Sequence, residues 1–279
     1  MLTALMPLKN YHAGFLAKAL ASMFAQDDPD WRLLAIAESG DLPEFERVLG
    51  PALADARVAL IANARRGLAG AFNTGMREAS TDFVAVLLAD DLWTSDAVAV
   101  LNRSIERHPD VDFFHSSRRI VNEHDQPVSS VYASRESFTL REFVVTSPVK
   151  HLLCWRRALA LSIGGMDESL PPVGPDDYDF PWCMAEAGAA FRAVPECLYL
   201  YRDHRETFRL TTHLPLDVHM NGIRRILEKH AVDAAAIAQR LAHSERTYLR
   251  QCLYLSVEDK RAKERAGHDP RTGWRDKYR

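Results

Sequence analysis

Short apolar runs alternate with longer stretches of helical spacing through the first half of the chain, a rhythm that predicts βα units feeding a mainly parallel sheet. Leu2 to Met6 reads as a strand that Pro7 ends, after which Phe15, Leu16, Ala19, Leu20 and Met23 recur at helical spacing. Arg32 to Ala37 is a second strand, followed by a turn at Ser39-Gly40-Asp41 and a helix from Leu42 to about Leu49. Pro43 falls in its first turn, where the missing N–H costs nothing. Val58 to Ala62 is a third strand and Gly67 to Ala79 a helix. Phe83 to Leu88 is a fourth strand whose unbroken apolar run predicts burial on both faces.

Asp90 and Asp91 follow that strand directly, with Thr94 and Ser95 as caps for a helix to about His108. Ligands of open α/β sheets bind beyond the carboxyl ends of the strands, which is where these carboxylates fall. Past Val111 the rhythm changes. Asp112 to Ser116 reads as a strand, and Arg119 to Val121 with Val128 to Tyr132 as an antiparallel hairpin. A helix near Leu140 to Val145, a strand near Val149 to Trp155 and a short helix ending at Gly164-Gly165 follow. Then come a helix from Asp177 to Ala187 and two short strands, Phe191 to Val194 and Leu198 to Tyr201. From about Leu216 the pattern is helical.

The composition, 47% hydrophobic and 26% charged over 279 residues, is that of an ordinary globular chain. A net charge of −3 provides no global basic field, so no nucleic-acid partner is expected. Four scattered cysteines, Cys154, Cys183, Cys197 and Cys252, form no CxxC pair and fit a reducing compartment. Lys9, Asn10, His12 and Lys18 interrupt any signal-peptide core, and nowhere do about 18 apolar residues run together. A cytoplasmic protein is expected. From Arg261 to Arg279 seven basic residues face three acids, so the tail is a candidate for peripheral contact with an anionic membrane. The helices between Leu216 and Leu255 leave packing on the rest of the chain and pairing in a homo-oligomer as alternatives.

Six segments, in order, resemble family 2 glycosyltransferases over roughly residues 2 to 210. They are Pro7-Leu8-Lys9-Asn10; the spaced Asn63, Gly67 and Asn73; Leu87-Leu88-Ala89-Asp90-Asp91; Gly164-Gly165-Met166-Asp167-Glu168; Asp176-Asp177-Tyr178-Asp179; and Tyr201-Arg202-Asp203-His204. The resemblance implies an α/β GT-A fold, with a Rossmann-like, mainly parallel central sheet, helices on both faces and a C-terminal helical extension. The catalytic domain would span 1–212, a nucleotide-binding half (about 1–110) followed by an acceptor-binding half (about 111–212), with the extension and its basic tail at 213–279.

It also implies an enzyme moving a sugar from a nucleoside-diphosphate donor to a saccharide or lipid-linked acceptor, with inversion. Charge growing on the leaving diphosphate is neutralised by a divalent ion, Mn²⁺ or Mg²⁺, for which Asp90, Asp91 and His204 are the expected ligands. Pro7, Lys9, Asn10, Glu38, Arg66, Asn73 and Asp90 are expected around the donor. His151 and Trp155 are expected against the acceptor. Asp177, with Asp176 beside it at a helix start, is the expected general base.

The chain departs from the family pattern in three places. Leu88 stands where the first Asp of Asp-x-Asp is usual, Ala37-Glu38-Ser39-Gly40 replaces Asp-Asp-Gly-Ser, and Cys183 replaces a frequent Arg. A nucleotide- or sugar-binding module without catalysis is therefore an alternative. The Gln-x-x-Arg-Trp motif of processive synthases is absent, so a single addition is expected. A nucleotidyltransferase would carry a Gly-rich phosphate loop after the first strand, which Pro7 to Asn10 does not offer. Neither GxGxxG, GxSxG nor HExxH occurs.

Overall fold

The computed structural model describes residues 1–170, 174–204 and 215–265, with side chains up to residue 249. The chain divides into two compact units, Met1–Glu168 with Gly174–Thr207, and Ser169–Val173 with Phe208–Arg279.

The first unit is built on an eight-stranded sheet of order β3-β2-β1-β4-β7-β6-β8-β5. The strands are β1 (Leu2–Leu8), β2 (Trp31–Ala37), β3 (Val58–Ala62), β4 (Phe83–Val86), β5 (Leu92–Trp93), β6 (Phe113–Val121), β7 (Leu153–Arg156) and β8 (Phe191–Arg202). The first four are mutually parallel. The second half is mixed: β7 is antiparallel to both β4 and β6, β8 is parallel to β6, and β5 is antiparallel to β8.

Alternation along the strands divides the core between the two faces of the sheet. Leu2, Ala4, Met6, Leu33, Ala35, Phe83 and Ala85 join one cluster with Leu16, Ala19 and Met23 of α1 (Ala13–Phe24), Phe45 and Leu49 of α2 (Leu42–Leu49), and Val98 and Leu101 of α4 (Ala97–Arg107). Leu5, Ile36, Val84 and Val86 join the other with Phe72 and Met76 of α3 (Gly67–Glu78), Ala160 of α6 (Arg157–Ser162), and Phe180 and Met184 of α7 (Phe180–Glu186). Helices thus cover both faces. A four-residue helix, α5 (Leu140–Phe143), is held by a Thr139/Glu142 capping box.

Three expectations are corrected. β1 continues through Pro7 to Leu8, because β4 runs alongside only as far as Leu5 and the missing N–H falls where β1 has one neighbour. β6 and β8 are each continuous where two strands were expected. The polar break in β6 is satisfied from its sides, Ser116 Oγ accepting from Leu152 N–H at 2.9 Å and Ser117 Oγ donating to Pro195 O at 2.8 Å. The break at Pro195-Glu196 is absorbed as a register shift against Ser116 to Arg118. Finally, Pro175–Asp179 forms a π-helical turn ahead of α7, not the first turn of an α-helix.

The second unit contains α8 (Leu216–Lys229) and α9 (Ala234–Arg265), which pack together, with the His219 and Tyr248 rings 5.5 Å apart. No described helix is long and apolar enough to cross a membrane. The basic tail beyond Arg265 lies outside the described residues.

Candidate active site

Past Val86 the chain turns at once, Asp91 N–H donating to Leu88 O at 3.2 Å, before β5 pairs with β8. The turn sets Asp90 at the sheet's carboxyl edge and Asp91 beneath it. Asp90 Oδ2 lies 2.9 Å from Nε2 of His204, just past β8, and the Asp90 side chain keeps 31% of its exposure while that of His204 is covered. Asp91 is buried, its Oδ2 accepting from the Tyr199 hydroxyl at 2.7 Å and its Oδ1 from Arg202 N–H at 2.6 Å. Burial, with Asp90 beside it, pushes the Asp91 carboxyl up to about 7 against the pull of Arg202, Tyr199 and His151. Both oxygens of Asp91, expected beside the metal, thus accept from protein donors inside the loop.

Arg202 was missed in the sequence, although it stands inside the Tyr201 to His204 segment. Its side chain is wholly buried. Nε donates to Asp90 O at 2.7 Å and Nη1 to Asn122 O at 3.0 Å, and Nη1 pairs with Asp125 Oδ1 at 2.5 Å. Its guanidinium lies 4.5 Å over the Phe15 ring, which also meets the His204 ring at 4.7 Å. Arg202 therefore locks the Asp90-Asp91 turn and the end of β8 into one piece. Tyr199 was missed as well, because an aromatic on an apolar strand reads as core.

The second cluster opens at Gly174, whose φ of 57° is left-handed and where a Cβ would come within 2.9 Å of Tyr178 Cβ. The turn that follows buries Asp176 and leaves Asp177 partly exposed. Asp176 Oδ2 lies 3.2 Å from His151 Nε2. Burial and the neighbouring Asp176 raise the Asp177 carboxyl above its ordinary range, against His151, Arg118 and Lys150. The His151 ring in turn lies 5.2 Å from that of Tyr199. A run Asp176–His151–Tyr199–Asp91 thus links the two acidic pairs.

His151 and Trp155 were expected against the acceptor. Both are buried, His151 inside this run and Trp155 between Phe113 and Phe180, with its indole N–H 3.3 Å from Met76 Sδ. Asn73 was expected around the donor. It is buried on α3, where its amide donates to Met166 O at 2.8 Å and to Glu168 Oε1 at 2.6 Å and accepts from Met166 N–H at 2.8 Å. A Cβ at Gly165, whose φ is 79°, would lie 2.2 Å from Asn73 Oδ1, which explains the second glycine of the pair. Two of the recognised segments therefore meet to hold each other.

The remaining expected donor residues cluster at the carboxyl ends of the parallel strands. Pro7 is half-buried near the end of β1, and Lys9 and Asn10 are exposed just past it. Glu38 follows β2 and accepts from Asn63 Nδ2 at 3.1 Å. Arg66 is exposed ahead of α3. With Asp90 after β4, these residues share one edge. The donor set of Asp90 carboxylate and His204 imidazole, open to solvent on the Asp90 side, suits Mn²⁺ or Mg²⁺ rather than a thiolate-seeking ion.

A structural likeness extends over most of the chain. A Staphylococcus aureus TarS fragment in complex with UDP-GlcNAc matches with a TM-score of 0.62 at 16% identity, covering 86% of this chain and 71% of that one. The mannosyltransferase PcManGT from Pyrobaculum calidifontis, in complex with GDP-Man and Mn²⁺, matches with a TM-score of 0.58 at 19% identity, covering 96% and 76%. The fold is GT-A. In sequence, the succinoglycan biosynthesis protein ExoW of Rhizobium meliloti (strain 1021) is 35% identical over 119 residues, 42% of this chain and 37% of that protein. The Escherichia coli protein WfgD, a UDP-Glc:alpha-D-GlcNAc-diphosphoundecaprenol beta-1,3-glucosyltransferase, is 29% identical over 109 residues, 38% of this chain and 42% of that protein. The chain thus spans about two fifths of the length of these two relatives. The model of Glycosyl transferase family 2 matches residues 3–159, more than half of the chain, and the chain belongs to that family.

Proposed function

We propose that this chain transfers a glycosyl group from a nucleoside-diphosphate sugar to an acceptor hydroxyl, with inversion and one addition per encounter, in the synthesis of a surface polysaccharide or glycoconjugate. The observation that carries the reading is the run Asp176–His151–Tyr199–Asp91, which joins the edge bearing Asp90 and His204 to the turn bearing Asp177. Lys9, Asn10, Glu38 and Arg66 line the donor side. Asp90 and His204 would hold Mn²⁺ or Mg²⁺, which when bound supplies positive charge against the departing diphosphate.

Asp177 takes the acceptor proton. Its carboxyl, raised by burial and by Asp176, is a stronger base than an ordinary aspartate while remaining partly open. Asp176, paired to His151, holds the turn that aims it. Attack opposite the leaving group inverts the anomeric carbon. Action in the cytoplasm on a saccharide or lipid-linked acceptor is part of the same proposal.

The test is turnover with a panel of UDP-, GDP- and dTDP-sugars, with Mn²⁺ or Mg²⁺ against a chelator. Metal-dependent release of nucleoside diphosphate is expected from at least one donor. Nucleotide binding with no release from any donor, on water or on a saccharide panel, would assign the chain instead to a binding module, the reading that Leu88 suggests.

A further inference from the structure

Arg202 carries a charge wholly removed from the surface, and the carboxylate that answers it comes from a distant hairpin. Beyond β6 the chain turns at Asn122 to Gln126 and comes back along the strand, with Val121 bridged to Pro127 and Arg118 to Tyr132. Asn122 closes that tip, its Oδ1 accepting from His124 N–H at 3.0 Å and from Gln126 N–H at 2.9 Å. The Asp125 carboxylate is turned to other partners. Its Oδ1 lies 2.5 Å from Arg202 Nη1, and its Oδ2 accepts from Lys18 Nζ of α1 at 2.5 Å. Phe15, under the Arg202 guanidinium, stands one turn before Lys18 on the same face of α1. Asp125 has a left-handed φ of 64°, a conformation that glycine adopts at less cost. Glycine would serve the turn as well, and what an aspartate adds here is its charge.

Among the described residues no other carboxylate forms an ion pair with Arg202. Its Nη2 is buried and makes no hydrogen bond. A guanidinium cannot shed its proton to escape the cost of burial, so removal of its partner leaves an uncompensated charge that is driven toward water. Such a movement would withdraw Nε from Asp90 O and take away the support of the Asp90-Asp91 turn. The end of β8 is also tied to the base of the hairpin, Asp203 N–H donating to Val121 O at 2.8 Å. Burial raises the Asp125 carboxyl, but Lys18 and Arg202 outweigh it and hold the group below its ordinary range, which keeps the counter-charge in place at neutral pH. The Lys18–Asp125 pair is part-exposed and by itself contributes little.

We infer that Asp125 is a positioning residue for the donor edge: by neutralising Arg202 it fixes the main chain of Asp90 and the approach to His204, and so sets the geometry in which these two side chains meet a divalent ion. The inference rests on the reading of Asp90 and His204 as the metal-holding pair, and it adds the hairpin tip to that site as its support. Groups that orient metal-holding residues from behind are worth about 10–100-fold in metal affinity. The main contribution belongs to the pair with the buried Arg202, and Lys18 only steadies the carboxylate from α1.

The experiment compares the full chain with Asp125→Gly, Asp125→Glu and Lys18→Met, by calorimetry with UDP, GDP and dTDP in Mn²⁺ or in chelator, and by amide hydrogen exchange of the ligand-free proteins. In Asp125→Gly the metal-dependent part of nucleotide affinity is expected to fall about 10–100-fold, while affinity in chelator stays near that of the parent. Asp125→Glu is expected to recover part of the loss, and Lys18→Met to stay within about threefold of the parent. Exchange in Asp125→Gly is expected to quicken in peptides spanning residues 87–93 and 199–204 as well as in the hairpin. Quickening confined to residues 118–132, which a merely local role in the turn predicts, overturns the inference. Metal-dependent affinity equal in parent and Asp125→Gly overturns it too. If Asp125→Gly does not fold, Asp125→Asn, which keeps the shape and removes the charge, takes its place under the same criteria. Absence of metal-dependent nucleotide binding in the parent would count against the donor reading instead, and the exchange comparison still decides the role of Asp125.

Discussion

Asn73 and Met166, 93 positions apart, exchange two hydrogen bonds of 2.8 Å through one side-chain amide, so that helix α3 grips the turn after α6. The Gly165 position leaves no room for a side chain against that amide. Asn73→Ala would strand a buried N–H and C=O, at a cost of about 2–3 kcal/mol. Thermal or urea unfolding should show this loss while nucleotide affinity stays near that of the parent. A large loss of nucleotide affinity with unchanged stability would return Asn73 to the donor site.

For Asp90→Ala, the metal-dependent part of nucleotide binding should fall by at least about tenfold, or ~1.4 kcal/mol. Calorimetry with and without Mn²⁺ measures it. Equal metal dependence in parent and variant would remove Asp90 and His204 from that role.

Asp177→Asn should lower kcat by on the order of 10²–10⁴ with nucleotide affinity nearly unchanged, since the base acts on the acceptor. Only the ionised carboxylate accepts a proton, and its folded-state pKa is raised. Activity of the parent should therefore rise with pH through a midpoint above the ordinary aspartate value of about 4. A midpoint at or below that value would contradict the burial argument.

Asp91 gives a stability prediction with the opposite sense from a salt-bridged acid. Its folded pKa, about 7, exceeds its ordinary 3.8, so the folded state binds the proton more tightly than the unfolded chain does. The stability linked to this proton is fully present below about pH 4 and is lost as pH rises through about 7. In metal-free protein, Asp91→Asn should flatten this slope in melting temperature against pH. An identical slope in the variant would refute it.

Of the parallel strands, β1 and β4 were legible because buried strands write nearly unbroken apolar runs, and Asp90, Asp177 and His204 drew attention because they sit in recognisable segments. What the sequence hid was burial imposed by distant partners. His151 and Trp155 are adjacent to cationic residues and were expected against the acceptor, yet β7 carries Trp155 into a cluster with Phe113 and Phe180, and Asp176 pairs with His151 from 25 positions away. The breaks expected in β6 and β8 failed for a related reason: serine and proline interrupt a pattern without interrupting a strand when a neighbour or a bulge supplies what they lack. Arg202 shows the same limit, since nothing local marks an arginine as wholly buried.

The imidazole seated between Asp176 and Tyr199 bears on how members of this family can be recombined. A chimera that exchanged everything after residue 110 would import His151, Asp176 and Tyr199 together but would ask the incoming tyrosine to find a foreign Asp91. New acceptor specificity is then to be grafted in pieces smaller than the half, within loops that leave this seam intact.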